Sequence, residues 1–249
     1  NPAVREHLYA AHDSVVRSYL RDGVDGWRLD VAFDIGFRFL HELTQAAHAE
    51  KPQSLVVGEI PNYPQEWFPS VDGVMHFGLR RILLGMAGGT LDGGTAGRMI
   101  DRIIQDAGVD NMLKSWIYLD NHDTPRQATV VADDRQRRVA QVLQFTLPGS
   151  PNLYYGSEVG QQGGDDPEMR GPMRWDRVDA GHPQLAWTKQ LIALRQHRAL
   201  RVGDYRRLVT RELFAFERHT DRAQDSVFVI ANPQPQPVTE TVLISSSKV

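Results

Sequence analysis

Gly23-Val24-Asp25-Gly26-Trp27-Arg28-Leu29-Asp30-Val31-Ala32 is the stretch whose reading decides the fold. It lies between two amphipathic helical patterns, so it reads as a buried parallel strand flanked by helices. Side chains alternate across a strand. Trp27, Leu29 and Val31 then face one way, and Arg28 and Asp30 the other. A charged pair on a central strand is costly unless each charge satisfies the other or does chemistry. Asp30 also falls near the C-terminal end of its strand, where barrel enzymes carry catalytic groups. A structural ion pair is the competing reading, since such pairs also perturb their surroundings.

Outward from this strand the pattern repeats. Residues 2–20 carry apolar side chains at helical spacing, with Pro2 suited to a first turn. Residues 35–49 read as a helix, and 54–60 as a short apolar strand closing on Glu59. A weaker strand is expected at 71–76, then helices at 79–87 and 95–107. Residues 115–119 form the next expected strand, running into Asp120-Asn121-His122-Asp123. A helix at 134–145, a strand at 152–155 and a helix at 185–197 follow. Beyond residue 201 the pattern turns to alternation, with antiparallel strands expected at 213–216 and 227–230.

Strand–helix units in series imply a parallel sheet with helical crossovers. A complete eight-unit barrel takes about 250 residues; residues 1–200 carry five units. A doubly wound open sheet would place a glycine-rich phosphate loop after its first strand, and Asp30-Val31-Ala32-Phe33 is not one. The expected fold is therefore α/β: a partial (β/α)8 barrel over 1–200, then a truncated antiparallel β domain over 201–249. The chain opens at Asn1 with no signal-peptide pattern. Its N-terminus is expected to be a cut, and the isolated chain to be a poorly soluble, inactive fragment with open sheet edges.

Composition narrows the function. A hydrophobic share of 41% and a charged share of 24% are those of a soluble globular protein. The formal charge of −3 argues against a nucleic-acid partner and against a polybasic membrane surface. Without cysteine there is no disulfide and no thiolate metal site. No apolar run reaches the length of a membrane-spanning helix.

Asp30, Glu59 and Asp123 each end a predicted strand, and barrel strand ends converge on one face. Three carboxylates there suit glycoside hydrolysis or divalent-metal catalysis. Arg28 beside Asp30 holds that carboxylate ionised, as a nucleophile needs. Glu59 stands among Leu55, Val56, Val57, Gly58 and Ile60; burial there would let it keep a proton, as a general acid needs. A retaining pair should lie about 5–5.5 Å apart. His122 beside Asp123 suits gripping sugar hydroxyls.

Plainer readings compete at each position. Glu59 could cap a loop, and Asp120 to Asp123 could be only a turn, being rich in turn formers. Trp27 reads as core and His76 as a satisfied polar residue. One of Tyr154 and Tyr155 should be core and the other at the barrel mouth. Asp165-Asp166 reads as a solvated turn, short of a calcium ligand set. Arg170 either braces its loop or faces solvent.

Gly26-Trp27-Arg28-Leu29-Asp30-Val31-Ala32, Val57-Gly58-Glu59 and Leu119-Asp120-Asn121-His122-Asp123 resemble three motifs of the α-amylase family of glycoside hydrolases, in the same order. Their spacing is similar to that of the family's fourth, fifth and seventh barrel strands. The chain would then hold roughly strands four to eight. Gly164-Asp165-Asp166-Pro167-Glu168-Met169-Arg170-Gly171-Pro172-Met173-Arg174-Trp175 resembles the loop after the eighth strand in neopullulanase- and cyclomaltodextrinase-like members.

The resemblance implies a nucleophile at Asp30 and a general acid/base at Glu59. Asp123 would bind sugar hydroxyls and stabilise an oxocarbenium-like transition state. Arg28 would orient Asp30, and His122 would bind substrate. The implied partner is an α-glucan oligosaccharide. No cofactor is expected to be required in this segment; the family's first motif and its inserted domain, which often helps hold calcium, are expected in a missing N-terminal part, where calcium is possible. Phe33 stands where relatives often carry Lys or Asn, altering one expected substrate contact.

The same motifs also fit a transglycosylase. A carbohydrate-binding relative without chemistry would lack one or more of the carboxylates, and a metal-dependent hydrolase would want more histidines near the strand ends. Compartment, oligomeric state, linkage preference and product length are left open.

Overall fold

Gly26 explains how the first strand docks. In the computed structural model, which describes residues 1–244, a Cβ on Gly26 would lie 2.1 Å from the Leu55 carbonyl oxygen. Only glycine allows the two backbones to approach that closely. The strand forms as β1, Gly26–Leu29, and pairs in parallel with β2, Leu55–Ile60, from Gly26↔Leu55 to Leu29↔Gly58. β3, Gly73–His76, pairs in parallel with β2. β4, Trp116–Ile117, pairs in parallel with β3 through Met75↔Trp116.

The chain divides into two compact units, Asn1–Gly78 with Asp106–Trp116, and Leu79–Gln105 with the chain from Ile117 onward. In the first unit the crossover helix Phe37–Glu50 buries Leu40, Leu43, Ala46 and Ala47, the stripe that helical periodicity predicts. These side chains share a core with Val56, Ile60 and Val74 of the strands, and Trp27 and Leu29 pack against it. Trp27 is half-buried, its ring edge-on to Tyr19 at 5.8 Å. The helix expected over 2–20 is broken. It runs as Pro2–Arg5, a π-helical turn Glu6–Ala10 and Val15–Arg21. Ser14 is extended at ψ 156°, in a His12-Asp13-Ser14 segment whose short polar side chains favour turns over helix.

In the second unit β5 is Ser150–Pro151, earlier than the strand expected at 152–155. The Asn152 amide donates to the Ile117 carbonyl at 2.8 Å, but the Ser157 amide then closes a turn on the Tyr154 carbonyl at 3.1 Å. Tyr154 and Tyr155 sit in that turn instead of alternating across a strand, and neither is core. In the first unit the strand order is β1-β2-β3-β4. Helix Asp134–Thr146 starts where Asp133 accepts from the Arg135 and Gln136 amides.

Three antiparallel strands close the described chain: β6, Asp204–Leu208; β7, Phe214–His219; and β8, Val227–Ala231. β7 and β8 are the strands expected near 213–216 and 227–230. β6 and the short helices Val109–Lys114 and Arg198–Val202 were not expected. Among the described residues no helix is long and apolar enough to cross a membrane.

Candidate active site

β1 stops at Leu29 and the chain turns at once. Asp30 stands in that turn with its side chain 75% exposed. Val31 adopts φ 44° and ψ 42°, a left-handed conformation that a β-branched residue rarely takes. The turn brings the Val31 amide to Glu59, whose Oε2 accepts from it at 2.9 Å.

Arg28 contacts both carboxylates. Its Nη1 lies 2.5 Å from Asp30 Oδ1 and its Nη2 3.0 Å from Glu59 Oε2. The second contact is not aligned as a hydrogen bond, so it is an attraction between charges. Nε donates to Met75 Sδ at 3.4 Å. The first unit thus gathers Arg28, Asp30 and Glu59, as strand alternation and strand-end placement led one to expect. Glu59 differs from expectation in its surroundings. Its side chain is mostly buried, at 13% exposure, yet a guanidinium and an amide reach it, not hydrocarbon alone. His76, in the same unit, is buried at the end of β3, and burial pushes its pKa down to about 4.

The second unit carries His122 and Asp123 on the loop after β4. Asp120 anchors that loop from inside. It accepts from Ser157 Oγ at 2.8 and 2.9 Å and from the Gln127 amide at 3.0 Å. Burial pushes the Asp120 carboxyl pKa up, and these hydrogen bonds oppose the shift. The Asn121 amide donates to Thr124 Oγ1 at 3.1 Å, and the Asp123 amide donates to Asn121 Oδ1 at 3.0 Å. The segment is therefore a turn, and the turn presents the side chains. Asp123 Oδ2 lies 3.1 Å from His122 Nε2. Its Oδ1 accepts from Arg170 Nη2 at 2.9 Å, while Arg170 Nε lies 3.0 Å from Asp166 Oδ1. Arg170 is a brace, and Asp166 is paired with it. The signal available in the sequence was the Asp166–Arg170 spacing of four; nothing there linked either residue to Asp123.

Among the described residues no three His, Asp or Glu side chains are grouped to hold a metal ion. Two carboxylates bound to one guanidinium, beside a strained turn at a strand end, form an arrangement suited to acid–base and nucleophilic chemistry.

Residues 1–204 match the catalytic domain of α-amylase. The chain belongs to the α-amylase family. The family resemblance drawn from the three motifs thus holds. A cyclomaltodextrinase of Geobacillus thermopakistaniensis is 36% identical over 217 residues, covering 82% of this chain and 35% of that protein. Neopullulanase 2 of Thermoactinomyces vulgaris is 32% identical over 203 residues, covering 80% of this chain and 34% of its own length. The chain spans about a third of the length of these curated relatives.

Among solved structures, the native debranching enzyme of Nostoc punctiforme superposes with a TM-score of 0.89 at 28% identity, covering 100% of this chain and 55% of that one. A cyclic α-maltosyl-(1→6)-maltose hydrolase of Arthrobacter globiformis superposes with a TM-score of 0.85 at 28% identity, covering 93% and 53%. Within the α-amylase family the fold is the expected one, part of a (β/α)8 barrel followed by an antiparallel β domain.

Proposed function

We propose that the protein carrying this chain hydrolyses α-glucosidic bonds of starch-type α-glucans, maltooligosaccharides or cyclodextrins, with retention of configuration. Membership of the α-amylase family and relatives named cyclomaltodextrinase, neopullulanase and maltogenic amylase support the substrate class. The observation that carries the mechanism is the single Arg28 guanidinium contacting both Asp30 and Glu59. A cation shared by the two carboxylates supports a pairing of Asp30 as nucleophile with Glu59 as acid/base.

In the first step Asp30 attacks the anomeric carbon. The glycosidic bond breaks toward the leaving oxygen, which takes the Glu59 proton. In the second step a water gives its proton to Glu59 and attacks the same carbon, freeing the Asp30 carboxylate. A sugar hydroxyl in place of that water gives transglycosylation through the same intermediate. Asp123, held by His122 and Arg170, binds sugar hydroxyls and faces the positive charge that develops at the transition state, as the family motif implies.

The full-length protein tests this. With a maltooligosaccharide, proton NMR should detect the α-anomer first; a β-anomer appearing first would show inversion and overturn the reading. Asp30→Asn should lower kcat by about 10³-fold or more. Glu59→Gln should lose starch hydrolysis but keep the glycosylation step on α-maltosyl fluoride, whose leaving group needs little protonation. Equal loss on both substrates would remove Glu59 from the acid role.

A further inference from the structure

Arg126 is fully buried, and its charge acts on the buried Asp120 carboxylate. Burying a guanidinium is costly unless several acceptors hold it. Here the acceptors are backbone carbonyls of a distant loop. Nε donates to the Met169 carbonyl at 2.9 Å, and Nη1 donates to the Tyr155 carbonyl. The Arg126 amide donates to the Gly163 carbonyl at 2.9 Å. The guanidinium stacks 4.0 Å from the Tyr154 ring centroid and 4.7 Å from that of Tyr155, a cation–π arrangement strengthened by desolvation. One side chain thus grips the loop at 154–155 and 169, and its backbone grips it at 163.

The grip lies beside functional groups. Met169 immediately precedes Arg170, whose head group meets Asp123 at 2.9 Å. Arg126 itself follows Asp123 by three residues, at the end of the turn that presents it. The Tyr155 hydroxyl donates to the Gly171 carbonyl at 2.8 Å, adding a second tie beside Arg170. An ion pair between groups as exposed as Arg170, at 49%, and Asp123, at 38%, has little power to fix geometry by itself. Its geometry here is set by anchoring both backbones to one buried cation.

We infer that Arg126 is a positioning residue: it fixes the Met169–Arg170 backbone so that Arg170 holds Asp123 in the orientation used for the transition state. The inference rests on the glycosidase reading above. Lysine cannot replace it, since one ammonium cannot reach two carbonyls in a plane while stacking on a ring.

The test uses the full-length protein with Arg126→Lys, Arg126→Met, Arg170→Met, Arg126→Met combined with Arg170→Met, and Arg126→Met in an Asp123→Asn background. Misplacement of a catalytic group by an ångström costs on the order of 10²-fold. Each Arg126 and Arg170 single variant should lower kcat/KM by about 10- to 100-fold. The double variant should be no worse than the poorer single, since both changes break one chain of contacts. Arg126→Met should have no further effect once Asp123 is Asn. Multiplicative losses, or a lowered Tm with unchanged kcat/KM, would make Arg126 a purely structural residue and overturn the inference. If Arg126→Met does not fold, Arg126→Lys carries the same comparison with Arg170→Met. If the wild-type protein turns over no α-glucan, the glycosidase reading fails separately. Amide hydrogen exchange at Arg170 and Gly171 then decides: faster exchange in Arg126→Lys supports the anchoring, and unchanged exchange overturns it.

Discussion

The left-handed turn at Val31 joins strain to chemistry. A β-branched residue at φ 44° costs roughly 1–3 kcal/mol, and the turn is what delivers the Val31 amide to Glu59. Glycine would relax that strain while raising the freedom of the unfolded chain by roughly 0.4–1 kcal/mol. The Val31 side chain is partly exposed and contributes little burial. Val31→Gly is therefore expected to leave stability unchanged or raise it by about 1 kcal/mol, while kcat/KM falls because the amide is no longer locked. Urea unfolding read beside kinetics checks this. A loss above about 2 kcal/mol would show that the backbone there is not strained. Arg28, Asp30 and Glu59 were legible in the sequence because alternation and strand ends place them without knowledge of packing. The turn at Val31 was not, since valine favours strand and only the surrounding structure imposes the other conformation.

At the scale of elements, glycine positions set how closely strands approach. A Cβ on Gly26 would meet the Leu55 carbonyl oxygen at 2.1 Å, and one on Gly73 the Lys114 carbonyl oxygen at 2.4 Å. Both obstacles are backbone, so neighbouring chain segments must part. A Cβ on Gly58 would meet Ile60 Cδ1 at 2.7 Å and Ala32 Cβ at 3.2 Å, and the isoleucine tip can swing aside. Gly26→Ala and Gly73→Ala should each cost roughly 3 kcal/mol, and Gly58→Ala nearer 1 kcal/mol. Denaturant midpoints of the three variants test the ranking; equal losses would contradict it.

β1 and β2 were readable because their apolar runs end on polar turns. β6 was not, because Asp204-Tyr205-Arg206-Arg207-Leu208 is largely polar and becomes a strand by pairing. Arg206 stands opposite Glu217 and binds its carboxylate at 2.5 Å, a cross-strand pair that neither segment announces alone. β4 was expected over 115–119 but its ladder is Trp116–Ile117. The Leu119 carbonyl accepts from Arg80 Nε at 2.8 Å instead of from a strand.

For the molecule as a whole, a formal charge of −3 is too small for net repulsion to govern acid stability. Particular buried groups govern it. Burial disfavours the charged form of His76 and pushes its pKa from the ordinary 6.5 down to about 4. Above pH 6.5 it is neutral in both states. As pH falls from 6.5 toward 4 the unfolded chain takes a proton that the folded chain refuses, so stability is lost across that window. Below about 4 both states are protonated and the loss stops growing. At 1.36 kcal/mol per pKa unit the window is worth on the order of 3 kcal/mol at most.

Carboxylates with depressed pKa, such as Asp25, Asp92, Asp133, Asp225 and Glu240, lose their contribution only at lower pH, below about 4.5. Asp120 acts in the opposite sense. Its pKa is raised by burial, so stability rises as pH falls from its folded pKa toward the ordinary carboxylate value. Asp120 offsets part of the His76 loss, so the comparison of two proteins isolates His76: between pH 6.5 and 4.5 the wild-type urea midpoint should fall relative to that of His76→Gln. A His76→Gln variant whose midpoint follows the wild-type course across the window would show that His76 is not the group responsible.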